Sequence, residues 1–267
     1  MGLVHSPKII TRGLILSVDY ANPKCRPTLT GAPETCKNLA NMNGPGGMGI
    51  NESGGSGFQS TATAGKFLDG TIFNGEKVMV GNDSPGGTGV AGDGLHFNED
   101  LGTANTEVTY QFWTRKTNAG NYYFFDARGG GGVFCFANYQ SANIAIGTGG
   151  AAAINYNFSS TYNASHDAFL NRWINIAITG KESENGLIYI NGEEVSVNTQ
   201  GYETSYVDQD ELPQHRIGVG FRIGHRLNNS YVGSHLGYFG PFLIYNKKLT
   251  DAEILQNYNA FKGRYVS

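Results

Sequence analysis

Trp173-Ile174-Asn175-Ile176-Ala177-Ile178-Thr179 is followed, eight residues on, by Leu187-Ile188-Tyr189-Ile190-Asn191-Gly192-Glu193-Glu194-Val195-Ser196-Val197. In the first stretch Ile174, Ile176 and Ile178 fall on one side, the two-residue period of a half-buried strand. The second stretch reads as two strands parted by Asn191-Gly192. That dipeptide tolerates the positive φ of a type I′ turn and predicts a tight hairpin.

The same pattern recurs on both sides. Upstream, Leu14, Leu16 and Val18 share a face of Leu14–Asp19, a strand stopped at Asn22-Pro23. Gly70–Phe73 and Lys77–Val80 flank a second hairpin dipeptide, Asn74-Gly75. Thr106–Thr114 alternates with Val108, Tyr110 and Phe112 on one face, and Tyr122–Asp126, Gly132–Ala137 and Asn143–Ile146 read as a meander. Downstream, Ile217, Val219, Phe221 and Ile223 alternate, with Arg216 and Arg222 on the opposite face. Tyr238–Tyr245 is the last strand, and its Pro241 implies a bulge or an edge position. One helix is expected, after the capping box Thr250-Asp251-Ala252-Glu253. Ile254, Leu255, Tyr258 and Phe261 form its apolar stripe, with Gly263 as its stop.

Glycine supplies 39 of the 267 residues, roughly double the usual share of about 7%. The chain has 15 Tyr and 15 Phe and a net charge of only -3, which excludes simple disorder. The glycines have no three-residue period, which excludes collagen. Nineteen basic residues against 22 acidic ones, with no basic run, give no nucleic-acid footprint. No apolar run approaches the roughly 20 residues of a membrane span. Met1–Lys8 has no apolar core, so no ordinary signal peptide is expected. Many short strands, one terminal helix and no strong internal boundary predict an all-β chain: a two-sheet antiparallel sandwich forming a single domain over residues 1–267. Long Gly-rich loops are expected at 24–66 and 81–94. A loop as long as Lys24–Lys66 either wraps the surface and contributes short strands or contacts another chain.

Cys25, Cys36 and Cys135 fit neither a zinc ribbon nor a Cys-x-x-Cys redox site. They are read as three reduced thiols, Cys135 at a core strand position. Cys25 and Cys36 flank a loop that lets them approach, and whether they pair is left open. His215, His225 and His235 recur every ten residues but form no zinc-spaced pair. Gly129–Gly132 precedes neither a helix nor a Gly-Lys-Ser/Thr, so no phosphate cradle is expected. Trp113 is read as solvent-facing. With Tyr122, Tyr123, Tyr139, Tyr156 and Tyr162 it is a candidate contact for a partner protein or for sugar rings, the partner protein being favoured because tyrosine enriches interfaces.

Several segments together resemble laminin-G-like, concanavalin A-type jelly-roll domains. They are Gly13–Lys24, Thr71-Ile72-Phe73-Asn74-Gly75, the Trp173–Thr179 and Ile188–Glu193 pair, and the ending Gly240–Thr250 through Tyr258–Tyr265. The opening Gly2-Leu3-Val4-His5-Ser6-Pro7-Lys8-Ile9 and this ending are similar to virion components of tailed phages, especially those of marine cyanobacteria. The resemblance implies a jelly roll acting as a non-enzymatic virion subunit: head decoration, or a tail, fibre or baseplate component. Loops and the C-terminal helix would bind neighbouring virion proteins in a multi-copy assembly. The alternative is a glycan-binding adhesin for host polysaccharide. A glycanase of this fold needs paired carboxylates on a strand face, and no Glu-x-Asp-x-Glu triplet exists; Asp208-Gln209-Asp210-Glu211 is the nearest. Calcium is the cofactor the resemblance suggests. Its candidate ligands are Asp83, Asp93, Asp100, Asp208 and Asp210, none in a recognisable calcium loop, and no cofactor is the main expectation.

Overall fold

The computed structural model describes residues 7–19, 21–22, 24–25, 35–42, 47–51, 72–73, 76–77, 79–81, 93–97, 106–116, 122–126, 133–138, 143–148, 153–158, 172–181, 186–194, 197–198, 221–224 and 237–265. These residues form eighteen strands and one helix. The first sheet has seven strands. In spatial order these are β1 (Leu14–Val18), β18 (Gly237–Tyr245), β8 (Glu107–Lys116), β13 (Trp173–Lys181), β14 (Leu187–Ile190) and β15 (Glu193–Glu194), with β6 (Met79–Gly81) also paired to β18. The second has nine, in the order β16 (Val197–Asn198), β12 (Ala153–Phe158), β11 (Asn143–Thr148), β10 (Val133–Asn138), β9 (Tyr122–Asp126), β17 (Phe221–Ile223), β7 (Asp93–Phe97), β3 (Gly47–Asn51) and β2 (Thr35–Cys36). β4 (Ile72–Phe73) and β5 (Glu76–Lys77) form a separate hairpin. Every strand pairing among the described residues is antiparallel, as the alternating pattern predicts.

The core lies where the inner faces meet. Val108, Tyr110 and Phe112 of β8 and Ile174, Ile176 and Ile178 of β13 are buried against Phe125, Cys135, Phe221 and Ile223 of the nine-stranded sheet. Aromatic rings stitch the two sheets together. Tyr110 stacks on Phe125 at 4.5 Å, Phe112 meets Phe124 at 5.0 Å, and Phe221 meets Phe242 at 6.0 Å.

The Asn191-Gly192 hairpin forms as its dipeptide requires. Both residues have positive φ, 55° and 83°, and Tyr189 and Ile190 pair with Glu194 and Glu193. The strand expected over Glu193–Val197 is divided, however. Glu193–Glu194 belongs to the seven-stranded sheet and Val197–Asn198 to the nine-stranded one, so the chain changes layer between them. Pro241 sits in a central strand, not at an edge. The register of β18 slips between Phe239 and Phe242, and there its neighbour changes from β6 to β1. The proline, which lacks an N–H, occupies the gap where no ladder bond is made.

The segment 24–66 is not wholly loop. It contributes β2 and β3 to the end of the nine-stranded sheet. It also runs along β1, where Asn38 accepts from Ser17 N at 2.9 Å and donates to Ile15 O at 2.9 Å. A side chain thus satisfies strand groups that an edge would leave open. Cys25 and Cys36 are joined by a disulfide with Cα atoms 5.3 Å apart, which corrects the reading of three reduced thiols. Cys135 is free and buried, and burial raises its thiol pKa well above the usual range.

The helix α1 (Asp251–Tyr265) packs on the outer face of the seven-stranded sheet. Its capping box is present: Thr250 N donates to Glu253 Oε2 at 2.9 Å and Glu253 N to Thr250 Oγ1 at 3.3 Å. Two expectations for α1 need correction. It runs through Gly263 to Tyr265, because Tyr265 packs on Trp113 and Trp173, and that burial exceeds the cost of about 1 kcal/mol for an interior glycine. Its buried positions are Ile254, Asn257, Tyr258 and Tyr265, while Leu255 is 43% exposed. Asn257 takes a place in the contact because the strand face beneath is polar.

Candidate binding site

Both faces of the seven-stranded sheet are buried. Inside is the core; outside, α1 covers Gln111 and Trp113 of β8, Asn175 and Ala177 of β13, and Leu243 and Tyr245 of β18. A polar network fixes the helix there. Asn257 Nδ2 donates to Gln111 Oε1 at 2.9 Å and to Tyr245 OH at 3.0 Å, and Asn257 Oδ1 accepts from Ile10 N at 2.8 Å. Gln111 Nε2 donates to Asn175 Oδ1 at 2.9 Å and to Ile254 O at 3.1 Å. The Tyr245 hydroxyl donates to Ile10 O at 3.0 Å. Burial raises the pKa of Tyr245, so the phenol stays protonated as that donor. At the helix end Arg264 grips Asp19 with two bonds of 2.8 and 2.9 Å. The apolar side of α1 is therefore spent on its own sheet.

Trp113 is likewise corrected. It is 1% exposed, stacked on Tyr258 at 5.4 Å and packed on Tyr265 at 5.0 Å, so it does not face solvent. Period-two alternation rightly put it opposite Phe112, but the strand alone does not reveal that a helix covers that side. Tyr122, Tyr123 and Tyr156 lie on strands of the nine-stranded sheet. Tyr122 is in one register row with Ala137, Ile144 and Tyr156, and Tyr123 is in the next, with Phe136. Tyr139, Tyr162, Asp83, Asp100, Asp208 and Asp210 lie outside the described residues. Asp93 begins β7, in register with Asn51. Among the described residues no three His, Cys, Asp or Glu gather as a metal site.

The helix leaves the outer face of the nine-stranded sheet to other contacts, and a charged row crosses that sheet. β17 is clamped between β7 and β9 so that Arg222 pairs with His96 on one side and Asp126 on the other, with Phe134 next in line. Neighbouring strands lie about 4.8 Å apart, so these residues are at cross-strand contact spacing. Phe221 and Ile223 point into the core, so Arg222 between them points outward. Phe124 and Phe125 both face the core through a bulge in β9, and Asp126 follows on the outer side. The Phe124 carbonyl accepts from Gly224 N at 2.9 Å, where a positive φ of 75° turns the chain out of β17. Asp126 is 0% exposed and Arg222 half-buried, so solvent reaches the row through the arginine.

A guanidinium offers only donors, so Arg222, the half-buried member of the row, suits a ligand rich in hydroxyl oxygens, while Asp126 lies buried beside it. One carboxylate in the row is not the pair that glycoside hydrolysis requires. Alternation with Phe221 and Ile223 places Arg222 on the outer face but carries no information about Asp126 or His96. The signal was a charged residue between two core positions, and its partners came from strands about a hundred residues apart in sequence.

A family model described as Laminin_G_3, concanavalin A-like lectin/glucanases superfamily, matches residues 86–255. No curated protein matches the sequence. Solved structures similar to this one include the botulinum neurotoxin serotype D binding domain, at 15% identity and TM-score 0.56, covering 96% of this chain and 52% of that one. A botulinum neurotoxin type C structure, whose cell entry is described as dependent upon two ganglioside molecules, is similar at 14% identity and TM-score 0.54, covering 94% and 52%. The botulinum neurotoxin DC binding domain in complex with SialylT is similar at 13% identity and TM-score 0.53, covering 94% and 52%. The chain thus spans about half the length of each of these structures.

Proposed function

The chain belongs to the concanavalin A-like lectin/glucanases superfamily, and we propose that it is a carbohydrate-binding module whose ligand meets the outer face of the nine-stranded sheet at Arg222. The observation that carries this reading is the fold, shared over more than nine-tenths of the chain with solved neurotoxin structures, one described as dependent upon interaction with ganglioside molecules for cell entry and one as a binding domain in complex with SialylT. Its location follows from the covering helix, which occupies the other sheet's outer face. Glycan-array screening of the purified chain, followed by calorimetry, tests it. Retention of a saccharide, with at least roughly tenfold weaker binding by Arg222→Ala, is expected for the loss of a charged hydrogen bond. An array on which nothing is retained overturns the reading, and a variant that binds like the wild type overturns the location.

Residence on a virus particle is a separate proposal, supported by the resemblance of the chain's two ends to phage virion components. It is compatible with glycan binding, since an adhesin can itself be a particle subunit. Mass spectrometry of gradient-purified particles tests it, and absence of the chain from them removes it.

A further inference from the structure

The strand pairing brings four asparagines into one row. Asn138 of β10 is opposite Asn143 of β11, Asn143 is opposite Asn157 of β12, and Asn157 is opposite Asn198 of β16. Residues directly opposite each other in antiparallel strands share a face of the sheet. Cys135 fixes which face this is. It is buried in the core, and its register partners across β11 and β12 are Ile146 and Ile154. Asn138 follows Cys135 by three residues along β10, so the asparagine row lies on the opposite, outer face. The next row on that face is Tyr123, Phe136, Ala145 and Asn155. One further step brings the row of Phe134 and Asp126, which Arg222 continues. The asparagines therefore lie on the same face as Arg222, in a row about 13 Å along the strands from its own.

Asparagine is disfavoured in strands. Four of them in register across four strands break that local rule together, and such breaks concentrate at functional positions. The chemistry of the row selects its ligand. Each amide holds two N–H donors and an oxygen with two acceptor lone pairs. Even a full chain of amide-to-amide bonds along such a row would use one donor and one acceptor per residue, leaving the rest for a ligand. A hydroxyl group both donates and accepts, so it engages both halves of an amide. A carboxylate or phosphate uses only the N–H half. Neither the asparagine row nor the row beside it contains a charged residue. Neighbouring strands lie about 4.8 Å apart, so the amide repeats at that interval over about 14 Å. That spacing suits a ligand presenting hydroxyl groups in series. Tyr123 and Phe136, aromatic positions in the next row, suit the apolar C–H face of a pyranose. We propose that the Asn138–Asn143–Asn157–Asn198 row is an extended subsite for an uncharged oligosaccharide chain lying across β10, β11, β12 and β16.

The subsite rests on the reading of the chain as a carbohydrate-binding module, and the test keeps the two apart. Calorimetry with the full chain compares cellobiose with cellohexaose, maltose with maltohexaose, and mannobiose with mannohexaose. In at least one series the hexasaccharide is expected to bind at least roughly tenfold tighter than the disaccharide, because the longer chain reaches more amides. That gain is expected to vanish in the double variant Asn143→Ala/Asn157→Ala. It is expected to shrink by roughly threefold or more in each single variant, as for one lost neutral hydrogen bond, and to survive Arg222→Ala. With no charge in the row, the gain is expected to change little between low and high salt. The single variants keep the test open if the double variant does not fold. Equal binding of disaccharide and hexasaccharide in every series overturns the row and leaves the carbohydrate reading standing. So does a length gain that survives the double and both single variants, or retention of charged glycans alone. No binding of any saccharide overturns both.

Discussion

Replacing Asn257 with leucine should loosen the helix from the sheet far more than the change in volume suggests. Leucine is close in size but cannot hydrogen-bond. Ile10 N loses an acceptor at 2.8 Å, and Gln111 Oε1 loses a donor at 2.9 Å. The Tyr245 hydroxyl loses a donor at 3.0 Å but keeps its own bond to Ile10 O. A buried polar group left without a partner costs about 1–3 kcal/mol. Two such groups give about 4 kcal/mol, a large part of the roughly 5–15 kcal/mol that holds a domain folded. For a chain of this size that corresponds to a fall in Tm of about 8 °C or more. Urea unfolding followed by tryptophan fluorescence measures it, because Trp113 stacks on Tyr258, the residue after Asn257. Gln111→Leu should be costly alone, and the double variant should be at least about 1 kcal/mol more stable than the sum of the singles predicts. An Asn257→Leu protein within about 0.5 kcal/mol of wild type, or strictly additive singles, would refute the argument that this network fixes the helix.

Three further outcomes are expected. In Gly240→Ala the new Cβ would stand 2.8 Å from Tyr265 Cζ and 3.0 Å from Trp113 Cβ, so about 1–3 kcal/mol should be lost; a Tm equal to wild type disproves the close approach. Thiol titration in denaturant without reductant should find one reactive cysteine per chain, and three after reduction; three at the outset contradicts the Cys25–Cys36 bond. For Glu253, burial pushes the carboxyl pKa up, but Lys247 and Thr250 outweigh it and hold it below the usual value. Its stabilisation is therefore present above about pH 4.3 and lost as pH falls below that. Glu253→Gln should be less stable at neutral pH and flatter through the acid range, whereas parallel curves of urea midpoint against pH would remove Glu253 as the cause.

Local geometry was legible where a few adjacent residues decide it. Asn191-Gly192 dictated its own turn, Thr250 and Glu253 their own cap, and the alternation of Val108, Tyr110 and Phe112 the inner face of β8. Misreadings arose where a distant element decides. Trp113 is opposite Phe112 as alternation requires, yet whether that side meets water depends on a helix more than a hundred residues away. Asn257 is buried because Gln111 and Tyr245 lie beneath it, which the helix's own stripe does not reveal. Pro241 left open the choice of edge or bulge, because it says only that an N–H is missing. The Arg222–Asp126 row was half visible: alternation gave the direction of the arginine, and only the pairing of β17 with β9 supplied its partner.

The change of layer between Glu194 and Val197 has a mechanical consequence. Three residues reach at most about 10–11 Å, close to the roughly 10 Å at which packed sheets lie. A span of three residues leaves little slack between the layers at that corner, so they cannot part there like the covers of a book. Insertion of even a few residues between Glu194 and Val197 would release this limit. While it holds, no cleft can open between the sheets at that corner.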